Sequence, residues 1–517
     1  MKNIFKSFLI FFLIFILFLF YNLFLIFAQV ETKNISVGGK IINYYKINLN
    51  EDLNEEIVII YKNLFKKKIY FSIYSYENDN LIKLFDQQVE DFYYSFSFAK
   101  IESQKYFNIV FLGSKSLFYL ILGENKILKL FDLDHIYKYN FEDQFPLINL
   151  SNDFDNDGED EFFIFDDDFL NIYRKKEIVQ KIKINLKSLY DYSLNFGGFN
   201  VVHSIFILLP DIIFVNLNND KYTDFVLIYQ KKIVSYYYDE KEKKFLILQD
   251  LNLSNYITIR AGYSPINKYI FLDDFNGDKL VDLIVLNFSF ASIFNTDKLG
   301  TEINLFYGSS KGQWKEQPDK KIYLNEISGI ESYFIFSDIN NDGLKDFINI
   351  GTKIFSSNFI VGLTVKRSFL VSINAYLGKK DGNFDMKPVY NLNKNLSLDS
   401  ETTQDSTQID FSSYGSINLA DFFNSIFGYF EKDLNKDNIL DLIVYNFDGT
   451  YSIYYSDKKN PNIYNKKENQ TVYLHDELKK IFYLAGPYIL ILDINNDYLL
   501  LVINKSAGKI YFKKLKV

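Results

Sequence analysis

Short apolar runs alternate with short polar segments along most of this chain. The apolar runs are only a few residues long and rich in β-branched and aromatic side chains, as in Phe225–Ile228, Leu283–Leu286 and Leu442–Tyr445. Runs this short, bounded by Asp, Asn and Gly, are typical of buried β-strands rather than helices. The pattern therefore predicts an all-β protein.

Six of the polar segments, named loops one to six, place oxygen-bearing side chains at loop positions 1, 3, 5 and 9. Loop six lacks the ninth-position oxygen, because Leu501 stands there. The candidate ligands are, in chain order, Asp153, Asp155, Asp157 and Glu161; Asn216, Asn218, Asp220 and Asp224; Asp274, Asn276, Asp278 and Asp282; Asp338, Asn340, Asp342 and Asp346; Asp433, Asn435, Asp437 and Asp441; and Asp493, Asn495 and Asp497. Alternate side chains of a tight loop can turn their oxygens to one point, and Ca²⁺ prefers such hard oxygen ligands. The sequence therefore predicts several structural Ca²⁺ sites.

The loops recur at a nearly constant spacing. They begin at residues 153, 216, 274, 338, 433 and 493, and such a period indicates copies of one supersecondary unit. The one longer interval predicts a polar insertion at about 391–418. An EF-hand is excluded, because it needs Glu at position 12 and a helix on each side. Position 12 is Ile164, Val285, Asn349 or Val444 in four of the loops.

With these motifs the chain resembles the FG-GAP and VCBS repeats of integrin α-like β-propellers, over about residues 145–505. Two hairpins with a Gly at each end of the turn, at 307–314 and 377–384, fit the same repeat, as do the Ala261-Gly262 and Phe427-Gly428 pairs upstream of loops. The resemblance implies a propeller in which the side chains at positions 1, 3, 5 and 9 hold Ca²⁺ together with a backbone carbonyl at position 7. It also implies recognition of a protein or a glycan.

Six loop blades and one diverged blade in residues 34–145 predict seven blades, with eight as the alternative. Few residues follow loop six, so an early strand should complete the last blade. Residues 40–49 are the candidate for that strand, because closure of this kind protects the edges of the ring.

The charge of each loop ranks the predicted sites. Loop one (153–161) has four carboxylates, and loop four (338–346) has Gly343, which permits a positive φ; both should bind Ca²⁺ most strongly. Loops three and five carry Lys279 and Asn438 at the corresponding position, and Asn tolerates that conformation better than Lys. Loop two has two charges and loop six lacks a ligand, so weak binding is expected there. For every loop the alternative is a metal-free Asx turn.

Composition narrows the function. The 517-residue chain has a net charge of −8 and no sustained basic run, which argues against nucleic acid as a partner. It has no cysteine, which excludes disulfides, cysteine-based zinc sites and thiol catalysis. No nucleophile elbow, phosphate-binding loop or dinucleotide fingerprint occurs.

The N-terminal segment predicts export. Lys2 and Lys6 precede the apolar stretch Phe8–Ala28, so residues 1–28 are a hydrophobic helix that is either a cleaved signal peptide or an uncleaved membrane anchor. Both alternatives place residues 31–517 outside the cytoplasm, in the periplasm, at the cell surface or in the medium. Contact with the membrane is expected only through this segment if it is uncleaved, in which case it anchors the chain to the inner membrane.

We therefore expect an exported, calcium-stabilised β-propeller that binds a protein or glycan in adhesion or envelope assembly, and that is not a catalyst. One alternative is a lyase or hydrolase acting on polysaccharide in the propeller funnel. The other is a purely structural envelope component.

Overall fold

The computed structural model describes residues 32–515 except 53, 102–104, 137–144, 167, 185–186, 195–200, 258–268, 290–299, 325–332, 352–367, 386, 398–431, 447–449, 457–463, 465–466, 475–487, 495–496 and 506. The predicted N-terminal helix, the Ala261-Gly262 and Phe427-Gly428 pairs and most of the predicted insertion lie outside the described residues. Among the described residues, no helix is long and apolar enough to span a bilayer.

The chain forms an eight-bladed β-propeller whose blades are antiparallel meanders. The strands of blades 1 to 4 are β2 (Lys40–Ile47), β3 (Glu56–Lys62), β4 (Ile69–Glu77) and β5 (Asn80–Gln88); β6 (Tyr93–Ala99), β7 (Asn108–Gly113), β8 (Ser116–Ile121) and β9 (Lys126–Asp132); β10 (Ser151–Asn152), β11 (Glu161–Asp166), β12 (Phe169–Arg174) and β13 (Glu177–Lys183); and β16 (Asp211–Val215), β17 (Asp224–Ile228), β18 (Lys232–Asp239) and β19 (Lys244–Asn252). Along the chain, a hairpin of β14 (Lys187–Leu194) and β15 (Val201–Leu208) follows blade 3 and precedes blade 4. A short 3₁₀ helix (Leu122–Glu124) joins β8 to β9.

Blades 5 to 8 continue the same meander. Their strands are β20 (Ile270–Asp273), β21 (Asp282–Ser289), β22 (Gly300–Phe306) and β23 (Lys320–Leu324); β24 (Tyr333–Ser337), β25 (Asp346–Gly351), β26 (Ser368–Tyr376) and β27 (Tyr390–Ser397); β28 (Leu442–Tyr445), β29 (Thr450–Tyr454) and β30 (Gln470–Tyr473); and β31 (Tyr488–Ile494), β32 (Asp497–Asn504) and β33 (Lys509–Leu515), to which β1 (Lys33–Ser36) is added. Because β27 extends to Ser397, residues 391–397 of the predicted insertion are a blade strand.

Strand position within a blade explains the sequence pattern. The second strands are continuous apolar runs, buried along most of their length, as in β3, β11 and β17. The fourth strands β13 and β19 alternate between exposed and less exposed residues, because one face meets solvent. The apolar runs read from the sequence are thus the second strands of the blades.

Hydrophobic clusters lie between consecutive blades all the way round the ring. The cluster between blades 8 and 1 joins Leu492 and Leu501 to Ile57 and Ile59, and others join each remaining pair of neighbours. Burial of this apolar surface is the main force that holds the blades together. The ring is therefore closed by packing as well as by hydrogen bonds.

The strand that closes the ring differs from the one predicted. β1 pairs with β33, with Lys33 opposite Phe512 and Ser36 opposite Lys509. The predicted closing strand at 40–49 instead opens blade 1 as β2. The reversal occurs at Gly38, whose φ is 103°, a conformation in which glycine avoids the clash of a Cβ atom. Residues 33–145 thus supply the closing strand and two complete blades, which makes the count eight.

Candidate metal sites

Loops two, three and four join the first and second strands of blades 4, 5 and 6, and loop one does so in blade 3. Loop five precedes β28, the first described strand of blade 7. In a meander the connections after the first strand of each blade leave from the same edge of the sheet. The five loops therefore share one edge of their blades, as the repeat predicts.

In loops two to five the ninth-position carboxylate is a buried structural anchor. One of its oxygens accepts the backbone N–H of loop position 2 at 2.6–3.1 Å, and the other accepts a backbone N–H that follows or ends the third strand at 2.8–3.0 Å. The four carboxylates, almost completely inaccessible to solvent, are Asp224, Asp282, Asp346 and Asp441. Each one fastens its loop to the third strand, whether or not a metal is bound.

The side chains at positions 1, 3 and 5 turn into the loop. In loop four, Asp338 accepts the N–H groups of Asp342 and Gly343 at 3.1 and 2.8 Å, and Asn340 accepts that of Asp342 at 3.0 Å. Asp342 in turn accepts the N–H of Leu344 at 2.9 Å, and loops three and five repeat this arrangement. These are Asx turns, and they leave spare lone pairs, because each oxygen can accept two hydrogen bonds. The loops are thus preorganised for a cation.

Two further observations indicate that loop one is suited to a cation. Oxygens of Asp153, Asp155 and Asp157 all lie within 4.8 Å of one another. Asp153 Oδ1 and Glu161 Oε2 are buried and have no hydrogen-bond partner. A buried oxygen without a partner is costly, and a positively charged ligand at either atom would remove that cost.

Loop one also contacts a positively charged side chain. Arg174, at the end of β12, donates from Nε to Glu161 at 2.8 Å and from Nη2 to Asp155. No sequence signal marks Arg174 as part of the site, because it lies on the hairpin after the loop and no spacing rule connects it to the four carboxylates.

Burial raises the pKa of every ninth-position carboxyl group. The values are about 6 for Asp224 and Asp441 and about 7 for Glu161, Asp282 and Asp346. Desolvation is the largest cause, and carboxylates of the same loop raise the pKa further in four of the five. A divalent cation would oppose both effects, because it favours the charged form.

In loop two, side-chain amides donate to oxygens of the loop itself. Asn216 donates from Nδ2 to the carbonyl of Asp220, and Asn218 donates to the Asp220 carboxylate at 2.8 Å. The Asn218 amide thus supplies a hydrogen bond to the Asp220 carboxylate without a metal ion. However, Asn216 Oδ1 is buried without a partner, so one ligand position remains available.

Loop six does not form the predicted nine-residue loop. Strands β31 and β32 pair up to Ile494 opposite Asp497, and Leu501 is a buried strand residue. Asp493 contacts Lys432, and Asp497 lies 2.7 Å from Lys514; Asn495 lies outside the described residues. The geometric prediction was wrong because an Asp-rich turn between two apolar runs is equally compatible with a tight hairpin.

Blade 1 contains a related loop, residues 48–56, that the sequence analysis missed. Glu56 begins β3 and accepts the N–H of Leu49 at 2.7 Å, as the ninth-position Asp does elsewhere. Asn50 and Asp52 accept the N–H groups two residues further on, each at 2.7 Å. The spacing Asn48-x-Asn50-x-Asp52, followed by Glu56 and an apolar run, could have revealed it. Both Glu56 oxygens already have partners, the second being the Asn50 amide at 2.7 Å.

Blade 3 has a buried polar cluster that the sequence also did not reveal. The His135 Nδ1 atom lies 3.6 Å from Asp166, 3.3 Å from Asn171 and 3.4 Å from the Tyr173 hydroxyl. Burial lowers the pKa of His135, although the charge of Asp166 opposes the shift. The contacts are those of a packed core histidine. His203 lies on β15, and His475 lies outside the described residues.

Comparisons with known proteins concern the fold only. No protein-family model and no curated protein sequence matches the chain. Similar solved structures include the Dos1 propeller (8% identity, TM-score 0.40, 93% of this chain and 94% of that chain) and BBS1N in complex with ARL6DN (11%, 0.37, 94% and 96%). The V. cholerae biofilm matrix protein Bap1 is a third (11%, 0.31, 94% and 91%). Similarities at this level carry no information on function.

Proposed function

We propose that this chain is an exported, calcium-stabilised β-propeller of the FG-GAP/VCBS type that binds a protein or glycan and does not catalyse a reaction. One observation carries the calcium part: oxygens of Asp153, Asp155 and Asp157 lie within 4.8 Å of one another, and buried oxygens of Asp153 and Glu161 have no hydrogen-bond partner. Loops three to five support it, because each repeats the same turn with Asp at positions 1 and 5 and Asn at position 3.

The role of Ca²⁺ in this proposal is structural. The ion would be held by positions 1, 3, 5 and 9 and would join the loop to the second strand. Binding to the folded state alone stabilises a protein, by an amount that grows with the free ion concentration. An exported chain without disulfides gains rigidity in this way, and the rigid ring can then present its connecting loops to a partner.

Thermal unfolding tests the calcium part. We expect the melting temperature of the purified protein to rise when Ca²⁺ replaces a chelator. The rise should be smaller for Asp342→Asn, which removes one charge from loop four while an amide oxygen can still accept the Leu344 N–H. The control is Asp239→Asn, because Asp239 makes a similar turn with Lys241 and Glu242 outside the loops. A melting temperature indifferent to both Ca²⁺ and chelator would contradict the proposal.

Binding and turnover assays separate the functional classes. A glycan array and capture of envelope proteins should give binding without bond cleavage. Cleavage of a polysaccharide would instead favour the lyase or hydrolase. Neither binding nor cleavage would favour a purely structural component.

A further inference from the structure

Arg174 lies where a cation shared by two ligands of loop one would lie. Its Nε donates to Glu161 Oε1 at 2.8 Å, and its Nη2 donates to Asp155 Oδ2. The planar guanidinium thus bridges the third and ninth positions, which are two of the four side chains in the cage. The Arg174 Cζ atom is also 5.5 Å from the centre of the Phe154 ring, a cation–π contact that helps to hold it there.

In loops two to five a backbone group takes the place that this side-chain cation has in loop one. There the ninth-position carboxylate accepts a neutral backbone N–H from the equivalent part of the blade, namely that of Tyr238, Gly308, Gly378 or Ser456. Loop one alone among these five has Glu instead of Asp at position 9. The longer side chain reaches the guanidinium, so Glu161 and Arg174 form a matched pair.

Arg174 leaves the cage of loop one only partly neutralised. Glu161 is 2% exposed, yet its Oε2 has no partner, and neither has Asp153 Oδ1. These atoms, together with Asp157, point to a further positively charged ligand. A metal ion that used all four carboxylates would have to compete with Arg174 for Asp155 and Glu161.

We propose that Arg174 is an internal cation that holds loop one folded without metal, and that Ca²⁺ binds this loop fully only by displacing it. The inference rests on the proposed calcium binding of the other loops. It reverses the ranking by charge: loop one, with most carboxylates, binds Ca²⁺ more weakly than loops three to five. Arg174 therefore determines which loops respond to the ion.

Loop one occupies a position where independence from calcium matters. It joins blade 3 to blade 4 through Asn156 Nδ2, which donates to the Lys221 carbonyl at 2.6 Å. The Thr223 N–H donates to the Phe154 carbonyl at 2.8 Å. Both partners belong to the segment of loop two, which has few charges of its own. An internal cation keeps this joint formed when the ion is absent.

Arg174→Gln tests the inference in the full chain. The variant should melt below the wild type in chelator, show a larger rise in melting temperature with Ca²⁺, and bind Ca²⁺ in an additional calorimetric step at least tenfold tighter than loop one of the wild type. Adding Asp157→Asn should abolish this gain, whereas Asp157→Asn alone should leave the wild-type titration nearly unchanged.

Lys175→Gln is the matched control. It removes the same charge one residue away, where Lys175 contacts Glu159, at loop position 7, at 3.4 Å. It should behave as the wild type. Arg174→Lys replaces the glutamine variant if that variant does not fold, because an ammonium group cannot bridge two carboxylates as a guanidinium does. Its affinity for Ca²⁺ at loop one should lie between those of the wild type and of Arg174→Gln.

The outcomes are distinguishable. If Arg174→Gln and Lys175→Gln bind Ca²⁺ alike while the Asp342→Asn variant still shows a loss, the role of Arg174 is wrong and the proposed function stands. If no variant responds to Ca²⁺, both are wrong.

Discussion

Single residues in the loops adopt left-handed backbone conformations. Positions 4 and 6 have positive φ in loops one, three, four and five, and position 6 is Gly158, Lys279, Gly343 or Asn438. Lys279 has a φ of 68°, a conformation that costs a residue with a Cβ atom about 1 kcal/mol. The turn geometry of the loop therefore overrides the preference of this residue.

Lys279→Gly should stabilise the metal-free protein by about 1 kcal/mol, because glycine adopts positive φ without a steric penalty. The shift in the denaturant midpoint measured in chelator checks this. Lys241→Gly is the control, since Lys241 lies in another turn and is not among the residues with positive φ; it should leave stability unchanged or lower it. A lower midpoint for Lys279→Gly would contradict the assignment.

At the scale of the element, the loop combines a part that can be read from sequence and a part that cannot. Positions 1, 3, 5 and 9 of loops one to five lie within one nine-residue segment and have a fixed spacing, so they were predictable. Arg174 was not, because it reaches loop one from the neighbouring hairpin. The loop at 48–56 escaped notice because Glu56 replaces the usual Asp and the cage has only Asp52 as a second acid.

The blade 1 loop provides the clearest pH dependence. Burial raises the pKa of Glu56 from 4.5 to about 7, and Asp52 adds to the rise. The folded state therefore keeps the proton that the unfolded state releases near 4.5. The stability that results is complete below pH 4.5 and is lost as the pH rises through 7, which amounts to about 3 kcal/mol.

Glu56→Gln should remove this dependence, because the amide cannot ionise. Unfolding free energies in chelator are compared between pH 4.5 and 8 for both proteins. We expect the variant to gain on the wild type by about 3 kcal/mol as the pH rises. The other carboxyl groups with a raised pKa are present in both proteins, so their contribution to the pH dependence cancels in the difference. A constant difference across this range would show that Glu56 does not titrate as described.

At the scale of the whole molecule, the ring was predictable and its closure was not. The period of the loops indicates radial copies of one unit, and the apolar runs match the buried second strands. The closing strand has only four residues, Lys33–Ser36, which is too short for a periodicity signal. Blade 2 was obscured because Lys100 stands where the first ligand would be and Asn108 stands where the other loops have a carboxylate.

The blades divide into two contiguous groups if Arg174 acts as an internal cation. In blades 8, 1, 2, 3 and 4 the corresponding segments are a tight hairpin, a loop closed by its own amides, a segment with Lys at position 1, a loop partly neutralised by arginine and a loop with two acidic residues at the ligand positions. Blades 5, 6 and 7 hold loops three, four and five, each with three Asp around one Asn. Calcium should therefore stabilise one arc of the ring and leave the other nearly unaffected.

Amide hydrogen exchange measures this directly, because protection reports the local opening free energy. Replacing Ca²⁺ by chelator should accelerate exchange in β21, β25 and β28, since their first residues lie in or next to the calcium loops. Exchange in β3 and β32 should change little. In the Arg174→Gln variant, β11 should join the responsive group, because the internal cation is gone. Equal acceleration in every blade would contradict the division, since it would mean that calcium acts on the ring as one cooperative unit.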